Sequence, residues 1–362
     1  MRGMNGDTKM KVAVLPADTG ACGHSRLVWP AEAVAAAYPG WDVRVYDPRQ
    51  VRIPRGGTGE PKGLDFEGLD LLVTQRVGTR AVADLCRFLQ RRGTAVVLDM
   101  DDAMWCLDPD NVAYSSWNGE RGGAHWEHAD RVAAFADMVT VTTGALAVRY
   151  GRHGRAMVLP NRIPRMALEA RRPLRGGSPP VAAWAGLLST HPHDPGVIGD
   201  ALKIAAGRGL VQPGVLGDGY RTGKIWGVPV KTYRTAQLGM EYYRHLAMFD
   251  IGLVPLDLEG SSGEFNAAKS SLKALEYAAT GSAVIASPSP ANVEFAREVP
   301  IRLAATPGEW LEHLEDLANP LVRMDQVEAQ LDALSAYEWV LQDRATDWAR
   351  AWMMAVEHRR ES

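Results

Sequence analysis

No apolar run in this 362-residue chain approaches the roughly 20 residues that cross a bilayer, so no membrane span is expected. Cysteine is nearly missing as well. Cys22, Cys86 and Cys106 show no metal-ligand spacing, and an odd number cannot all pair, which suits a reducing cytoplasm. A charge excess of one sign is also lacking: 40 basic against 43 acidic side chains leave a net charge of −3. That removes the global basic footprint of nucleic-acid binding, though a local groove stays open. The opening stretch MRGMNGDTKMK has no apolar core of a signal peptide and is expected to be a short polar tail. His125 and His128 share a face at a spacing of three, but no third ligand accompanies them, so a zinc site is not expected. Lysine is scarce among the basic residues, which makes its position informative.

What remains is a hydrophobic fraction of 46% and a charged fraction of 23%, in a chain long enough for two domains. Short Val-, Leu- and Ile-rich runs alternate with helical patterns. The runs are Val12–Leu15, Val43–Tyr46, Leu71–Thr74, Ala95–Leu98, Val139–Thr142 and Met157–Leu159. Helical patterns fall at Arg26–Ala37, Thr79–Arg91 and His125–Ala136. Pro160-Asn161 and the Arg/Pro/Gly-dense stretch Arg171–Pro180 then break the pattern and predict a hinge near residues 161–179. A second set follows at Val181–Trp184, Gly214–Leu216, Pro229–Thr232, Ile251–Val254, Ala283–Ala286 and Ile301–Leu303. The alternation predicts an α/β protein of two Rossmann-like halves, each with a parallel sheet covered by helices and facing a central cleft. The expected boundaries are 1–165, 166–335 and a terminal helical segment, 336–362, packing back on the N-terminal domain. Leu331–Arg359 reads as helical throughout, with Trp339, Trp348 and Trp352 forming a core or domain-bridging stripe.

The segment Asp250–Ser287 carries the densest chemistry. Its pattern is strand, Gly/Ser-rich loop, amphipathic helix, then strand. The spacing places Lys269, Lys273 and Glu276 on one helical face, and Gly281 fits a C-cap before the last strand. One reading is an ordinary solvated Lys/Glu face. The other is a phosphate cradle, in which free N–H groups at the helix start and two ammonium groups meet a diphosphate while the carboxylate holds ribose.

The residues Phe265-Asn266, Lys269-Ser270, Leu272-Lys273, Glu276-Tyr277, Gly281 and Val284-Ile285-Ala286 resemble the donor-binding segment of retaining, group 1 (family 4-like) GT-B glycosyltransferases. The pattern is most similar to a branch common in bacteriophages and bacteria. The Arg-, Ala- and Gly-heavy composition agrees with a GC-rich genome of that kind. The resemblance implies that Glu276 binds the ribose, that Lys269 and Lys273 stabilise the departing diphosphate, and that Asn266 and Ser270 line the donor site. It also implies a nucleotide-diphosphate sugar as donor substrate, net retention and no obligatory cofactor or metal. One position departs from the pattern. The commoner motif has two glutamates eight positions apart, and the first falls at Ala268 here; Glu264 is near but off that spacing.

Three further stretches resemble the same branch. The glycine turn Thr19–Arg26, after the first strand, allows close approach of a ligand to backbone N–H groups; the resemblance makes Gly23 and Arg26 donor-side residues. The stretch Ala183–Gly186 followed by Ser189–Asp194 resembles an element whose glycine lies under the diphosphate, which nominates Gly186 and His191, with Asp194 as a ligand contact or helix cap. The tip Asp99-Met100-Asp101-Asp102 crowds three carboxyls at a strand end, where at least one should be paired, bonded or raised in pKa. By resemblance, Asp99, Asp101 or Asp102 positions or deprotonates the acceptor; the alternative for the cluster is a simple cap-and-turn role. Gly217-Asp218-Gly219 and Tyr233-Arg234 are weaker candidates for the nucleobase edge.

Two other functions compete. The tip superficially matches the first motif of haloacid dehalogenase-like, Mg-dependent phosphatases, with Asp99 as nucleophile, although Ala103 stands in the usual Thr/Val place and no later acidic pair is evident. Ala268 motivates a catalytically inert nucleotide-sugar-binding protein. The acceptor stays open between a protein (a virion protein included), a glycan, a modified DNA base and a small metabolite. If phage-encoded, the protein is expected in the host cytoplasm.

Overall fold

The computed structural model describes residues 9–53, 60–119, 124–172, 179–217, 219–233, 238–336 and 339–362. Residues 1–8 of the N-terminal tail, 173–178 of the expected hinge, Asp218 and Arg234 lie outside the described residues. The chain forms two compact units. One comprises Met1–Trp105, Ser115–Asn161 and Val340–Ser362; the other comprises Cys106–Tyr114 and Arg162–Trp339.

The first unit is built on β1 (Lys11–Leu15), β2 (Asp42–Val45), β3 (Leu71–Gln75), β4 (Ala95–Met100), β5 (Met138–Val141) and β6 (Ala156–Val158), ordered β2-β1-β3-β4-β5-β6 and all parallel. Every residue of β3 and β4 is buried. This is why they read as unbroken apolar runs: a parallel strand with helices on both faces has no solvent side to alternate with. The expected helix at Arg26 starts earlier, at Ala21, and winds through a wider π turn over His24–Val28 before Trp29–Ala37.

The second unit repeats the plan with β7 (Val181–Gly186), β8 (Gln212–Gly217), β9 (Lys231–Tyr233), β10 (Ile251–Val254), β11 (Ala283–Ala286) and β12 (Arg302–Leu303), ordered β12-β11-β10-β7-β8-β9 and again parallel. Its core gathers Trp184, Trp226 and Trp310 with Ile198, Leu202, Ile251 and Ile285. Trp226 donates its indole N–H to the Pro195 carbonyl at 2.9 Å, so the ring is buried without a lost hydrogen bond.

The C-terminal segment is not one helix. Pro320–Ala336 is followed by a short 3-10 turn, Leu341–Arg344, and then by Ala345–Glu361. Between them Val340 is extended. The tryptophan stripe is divided accordingly. Trp339 packs edge-on against Phe295 in the second unit, with ring centroids 5.2 Å apart. Trp348 and Trp352 are buried in the first unit.

Candidate functional site

In an open parallel sheet, a crevice forms at the carboxyl ends of the two strands from which the chain departs in opposite directions. In the second unit these strands are β7 and β10, and the candidates Gly186, His191, Asn266, Lys269 and Ser270 fall in the segments that follow them. β7 ends at Gly186, where a Cβ would lie 2.5 Å from the Trp184 ring. The following turn brings His191 to Asp194, with Nδ1 2.8 Å from Oδ2. Asp194 Oδ1 in turn accepts the Asp257 N–H at 3.0 Å and the Asn266 side-chain amide at 2.6 Å. Asn266 also donates to the Asp257 carbonyl at 3.0 Å. A buried carboxylate therefore ties the loop after β7 to the loop after β10. Burial pushes the Asp194 carboxyl up, but the bond and charge of His191, the charge of Lys269 and the Asp257 N–H together hold it below its ordinary range.

The single amphipathic helix expected over Lys269–Glu276 is two. Gly263–Ala267 ends at Ala268, and Leu272–Thr280 begins after Ser271. Lys269 and Ser270 therefore sit in the joint, before the face that carries Lys273 and Glu276. The Lys269 ammonium lies 4.4 Å from the Phe265 ring centroid, a cation–π distance. The second helix runs to Gly281, whose φ of +89° is the left-handed C-cap expected from the sequence. Its first N–H groups precede the first intrahelical acceptor, and Ser271 makes no side-chain cap to them.

Glu276 is buried, and both of its bonds fall on Oε2. Lys273 Nζ donates at 2.7 Å and the Tyr242 hydroxyl at 3.0 Å. Lys273 also donates to Tyr242 Oη at 2.7 Å, which closes a three-membered network. Tyr242 comes from the helix Met240–Leu246 and was not found by sequence reasoning. Asp108 was also missed. It accepts from the hydroxyls of Ser261 and Ser262, and His193 Nε2 lies 3.4 Å from it. Although burial pushes the Asp108 carboxyl up, the two hydroxyls and the Asp110 N–H hold it down.

Tyr233, a candidate for the nucleobase edge, belongs to the core. Its ring is buried against Phe249, with centroids 4.9 Å apart. Gly217 closes β8 at a φ of +124°, with its Cα so near the Gly186 carbonyl that a Cβ would come within 2.3 Å of it.

In the first unit, the tip of β4 is an ion-pair network. Asp99 has 1% of its side chain exposed. Its two oxygens accept Arg26 Nε at 3.0 Å and Nη2 at 2.7 Å, with the Thr140 hydroxyl also on Oδ2 at 2.7 Å. Arg26 Nη1 donates to the Leu159 carbonyl at 2.9 Å and to Asn161 Oδ1 at 3.1 Å. The guanidinium expected to meet a donor is thus buried and serves Asp99. Burial pushes the Asp99 carboxyl up, and the Arg26 charge against it pulls the other way. Gly23, also expected on the donor side, ends the short turn Ala21–Gly23; a Cβ there would lie 2.1 Å from the Asp18 carbonyl oxygen, so only glycine fits.

Asp101 and Asp102 share Arg76, which stands just past β3 at a φ of +43°. Its Nε and Nη2 reach Asp101 at 2.5 and 2.7 Å, and Nη2 reaches Asp102 at 2.5 Å. Asp102 is the most exposed of the three carboxylates, at 20%. Nearby, Arg76 pulls the Cys22 thiol down, but burial and the carboxylates of Asp101, Asp102 and Asp18 outweigh it and push the thiol up to about 11.

Among the described residues, two groups of three side chains come close enough to ligate a metal: Cys22, Asp101 and Asp102, and Asp108, Asp110 and His193. In the first, both carboxylates already hold Arg76. His125 and His128, whose ring centroids lie 6.4 Å apart, belong to neither.

No protein-family model matches the chain, and no curated protein matches it. Solved structures do. A glycosyltransferase from Rickettsia africae superimposes with a TM-score of 0.63 at 10% identity, over 96% of this chain and 99% of that one. Anabaena HepE in complex with UDP-glucose gives 0.61 at 14%, over 94% and 100%. The apo structure of OtsA gives 0.59 at 11%, over 94% and 98%. At such identities the likeness concerns fold alone: the chain has the two-sheet α/β architecture, GT-B, of these glycosyltransferases.

Proposed function

We propose that this protein is a glycosyltransferase whose second unit binds a nucleotide-diphosphate sugar at the β7/β10 switch point. The observation that carries the reading is Asp194. It joins the two loops that any ligand at that crevice must touch, and holds His191 and Asn266 in place while doing so. Lys269 and the start of the helix Leu272–Thr280 supply cationic and N–H character beside it. Glu276, oriented by Lys273 and Tyr242, takes the ribose hydroxyls. In sugar transfer the charge develops on the leaving diphosphate, so fixed cations and helix N–H groups provide the main stabilisation. Of the three carboxylates at the tip of β4, Asp102 is the most exposed and is the candidate to position an acceptor hydroxyl. Arg26 acts by fixing Asp99. Retention of configuration is supported by the motif resemblance.

HepE has been solved with UDP and with UDP-glucose, which makes UDP-glucose the first donor to try. Isothermal titration with UDP- and GDP-sugars, paired with a donor-hydrolysis assay, tests the reading. Binding should be lost or strongly weakened in Glu276→Ala and Lys273→Ala; wild-type affinity in both sinks the site assignment. A second reading, an inert nucleotide-sugar binder, is favoured by Ala268, a buried methyl where the family motif has a carboxylate. Tight binding without turnover on any acceptor tried supports that reading instead. The phosphatase alternative has no accessible nucleophile in Asp99, because both of its oxygens are occupied in a buried pair.

A further inference from the structure

The first unit has its own switch point, between β1 and β3. A cavity of about 440 Å³ opens there, lined by the strand ends Leu15 and Thr74–Gln75 among others. That volume falls within the roughly 300–1,000 Å³ of small-molecule sites. Apolar side chains dominate its walls: Pro16, Val51, Ile53, Val77 and the ring of Trp117. Gly78 makes the seat for that ring, since a Cβ there would stand 3.0 Å from Trp117 Cη2. His125, ring-to-edge with Trp117 at 6.4 Å, continues the aromatic wall.

The polar side chains of the lining are Thr74, Gln75, Arg76, Thr79 and His125, and Gln75 is engaged with the Ala17 N–H and the Cys22 carbonyl. Thr79 caps the helix Arg80–Arg91 by accepting the Val82 N–H on its hydroxyl oxygen at 3.3 Å, which leaves the hydroxyl hydrogen to donate elsewhere. Arg76 is the one permanently charged side chain of the lining, and it faces two carboxylates, Asp101 and Asp102. With two negative charges on one guanidinium, the cavity has no surplus positive charge for a phosphate or carboxylate. An apolar, aromatic-walled cavity with a hydroxyl donor and no net cation suits a neutral ring that carries hydroxyl groups.

We propose that this cavity binds a neutral hydroxylated ring compound, an aromatic or alicyclic alcohol, and that this compound is the sugar acceptor. The word acceptor rests on the transferase reading above; the binding does not. In the transfer, the alcohol oxygen forms the bond to the anomeric carbon and the bond from that carbon to the diphosphate oxygen breaks. The nucleoside diphosphate leaves with the electron pair, and the hydroxyl proton passes to a base.

Calorimetry on the full chain with 4-methylumbelliferone, held at a pH where the phenol is neutral, and with its phosphate ester tests the proposal. The phenol should bind the wild type, and the ester roughly tenfold more weakly or not at all. Trp117→Ala, which removes the aromatic wall, and Ala81→Phe, which fills the cavity from its rim, should each weaken the phenol roughly tenfold. Thermal melts establish that the variants are folded, and if Trp117→Ala unfolds, Ala81→Phe carries the test. No phenol binding, equal affinity in wild type and folded variants, or an ester that binds as tightly as the phenol would overturn the proposal. UDP-glucose titrated into the same samples separates the two readings. Phenol binding without binding of UDP-glucose or of any other UDP- or GDP-sugar of the panel refutes the donor assignment alone, and nucleotide-sugar binding without phenol binding refutes the cavity proposal alone.

Discussion

The hydroxyl of Tyr242 donates to Glu276 Oε2 at 3.0 Å, on the same oxygen that Lys273 reaches at 2.7 Å. Glu276 is thereby held from two directions, by groups 34 and 3 residues away in the sequence. Tyr242→Phe keeps the ring and removes one of the two bonds. A neutral hydroxyl bond to a carboxylate contributes about 0.5–3 kcal/mol, so nucleotide-sugar affinity should fall by roughly several-fold, less than in Glu276→Ala, which removes the contact itself. Titration of both variants checks the order; an unchanged affinity in Tyr242→Phe would mean that Lys273 alone orients the carboxylate.

Asp194 gives a pH prediction. Its folded-state pKa is depressed, so the protons it binds in the unfolded state exceed those in the folded state at mildly acidic pH. The stabilisation it contributes is fully present above its unfolded value of about 3.9 and is lost as pH falls through the folded value. Asp194→Asn should therefore be less stable than wild type near neutrality, by about 1–3 kcal/mol for the weakened bonds to His191, Asp257 and Asn266. That gap should narrow as pH drops below about 4. Urea midpoints measured across the acid range test this. A gap that stays constant with pH would show that the charge of Asp194 is not what holds the two loops.

The reach of the sequence is clearest where these residues sit. The inner strands β3, β4, β10 and β11 were legible because buried parallel strands read as nearly continuous aliphatic runs; the exposed β2 was legible only from its place in the alternation of short strands with helical patterns. Gly281 was legible for a different reason: only a left-handed residue joins a helix end directly to β11. The break at Ala268–Ser271 was not, since Lys269, Lys273 and Glu276 keep helical spacing whether or not the helix is continuous. Arg26 was singled out, but its pairing with Asp99, 73 positions away, was not. Tyr242, Asp108 and Arg76 act through contacts between elements, and periodicity carries no information about those. Arg76 alone left a trace, as a charged residue at a strand's carboxyl tip, the same criterion that singled out Asp99–Asp102.

Gly23 and Gly144 make a contrasting pair. At Gly23 an added Cβ would meet the Asp18 carbonyl oxygen at 2.1 Å, and Asp18 is itself pinned by accepting the Gly20 N–H at 2.7 Å. Gly23→Ala should displace that turn and destabilise by about 1–3 kcal/mol, the usual cost of overpacking. At Gly144, the first residue of the helix Gly144–Tyr150, a Cβ meets nothing within 4 Å. Gly144→Ala should be neutral or stabilising by about 0.4–1 kcal/mol, through the unfolded chain's lost freedom. Denaturant unfolding of the two single variants measures the difference directly.

The Arg26–Asp99 pair yields the last prediction. Both side chains are 1% exposed, so the attraction between them is opposed by the cost of removing both charges from water. Removing Arg26 alone, as Arg26→Met, leaves Asp99 with Thr140 as its remaining side-chain donor, and takes one donor away from the Leu159 carbonyl and from Asn161 Oδ1. That change should cost about 3–5 kcal/mol. Burial would then push Asp99 further up, so the variant should recover part of its stability at low pH, where the carboxyl is protonated. The double variant Arg26→Met/Asp99→Asn removes the stranded charge and should be more stable than Arg26→Met at neutral pH. If the double variant is instead the less stable of the two at neutral pH, the pair is not a charge balance, and Asp99 holds the strand tip through its bond to Thr140.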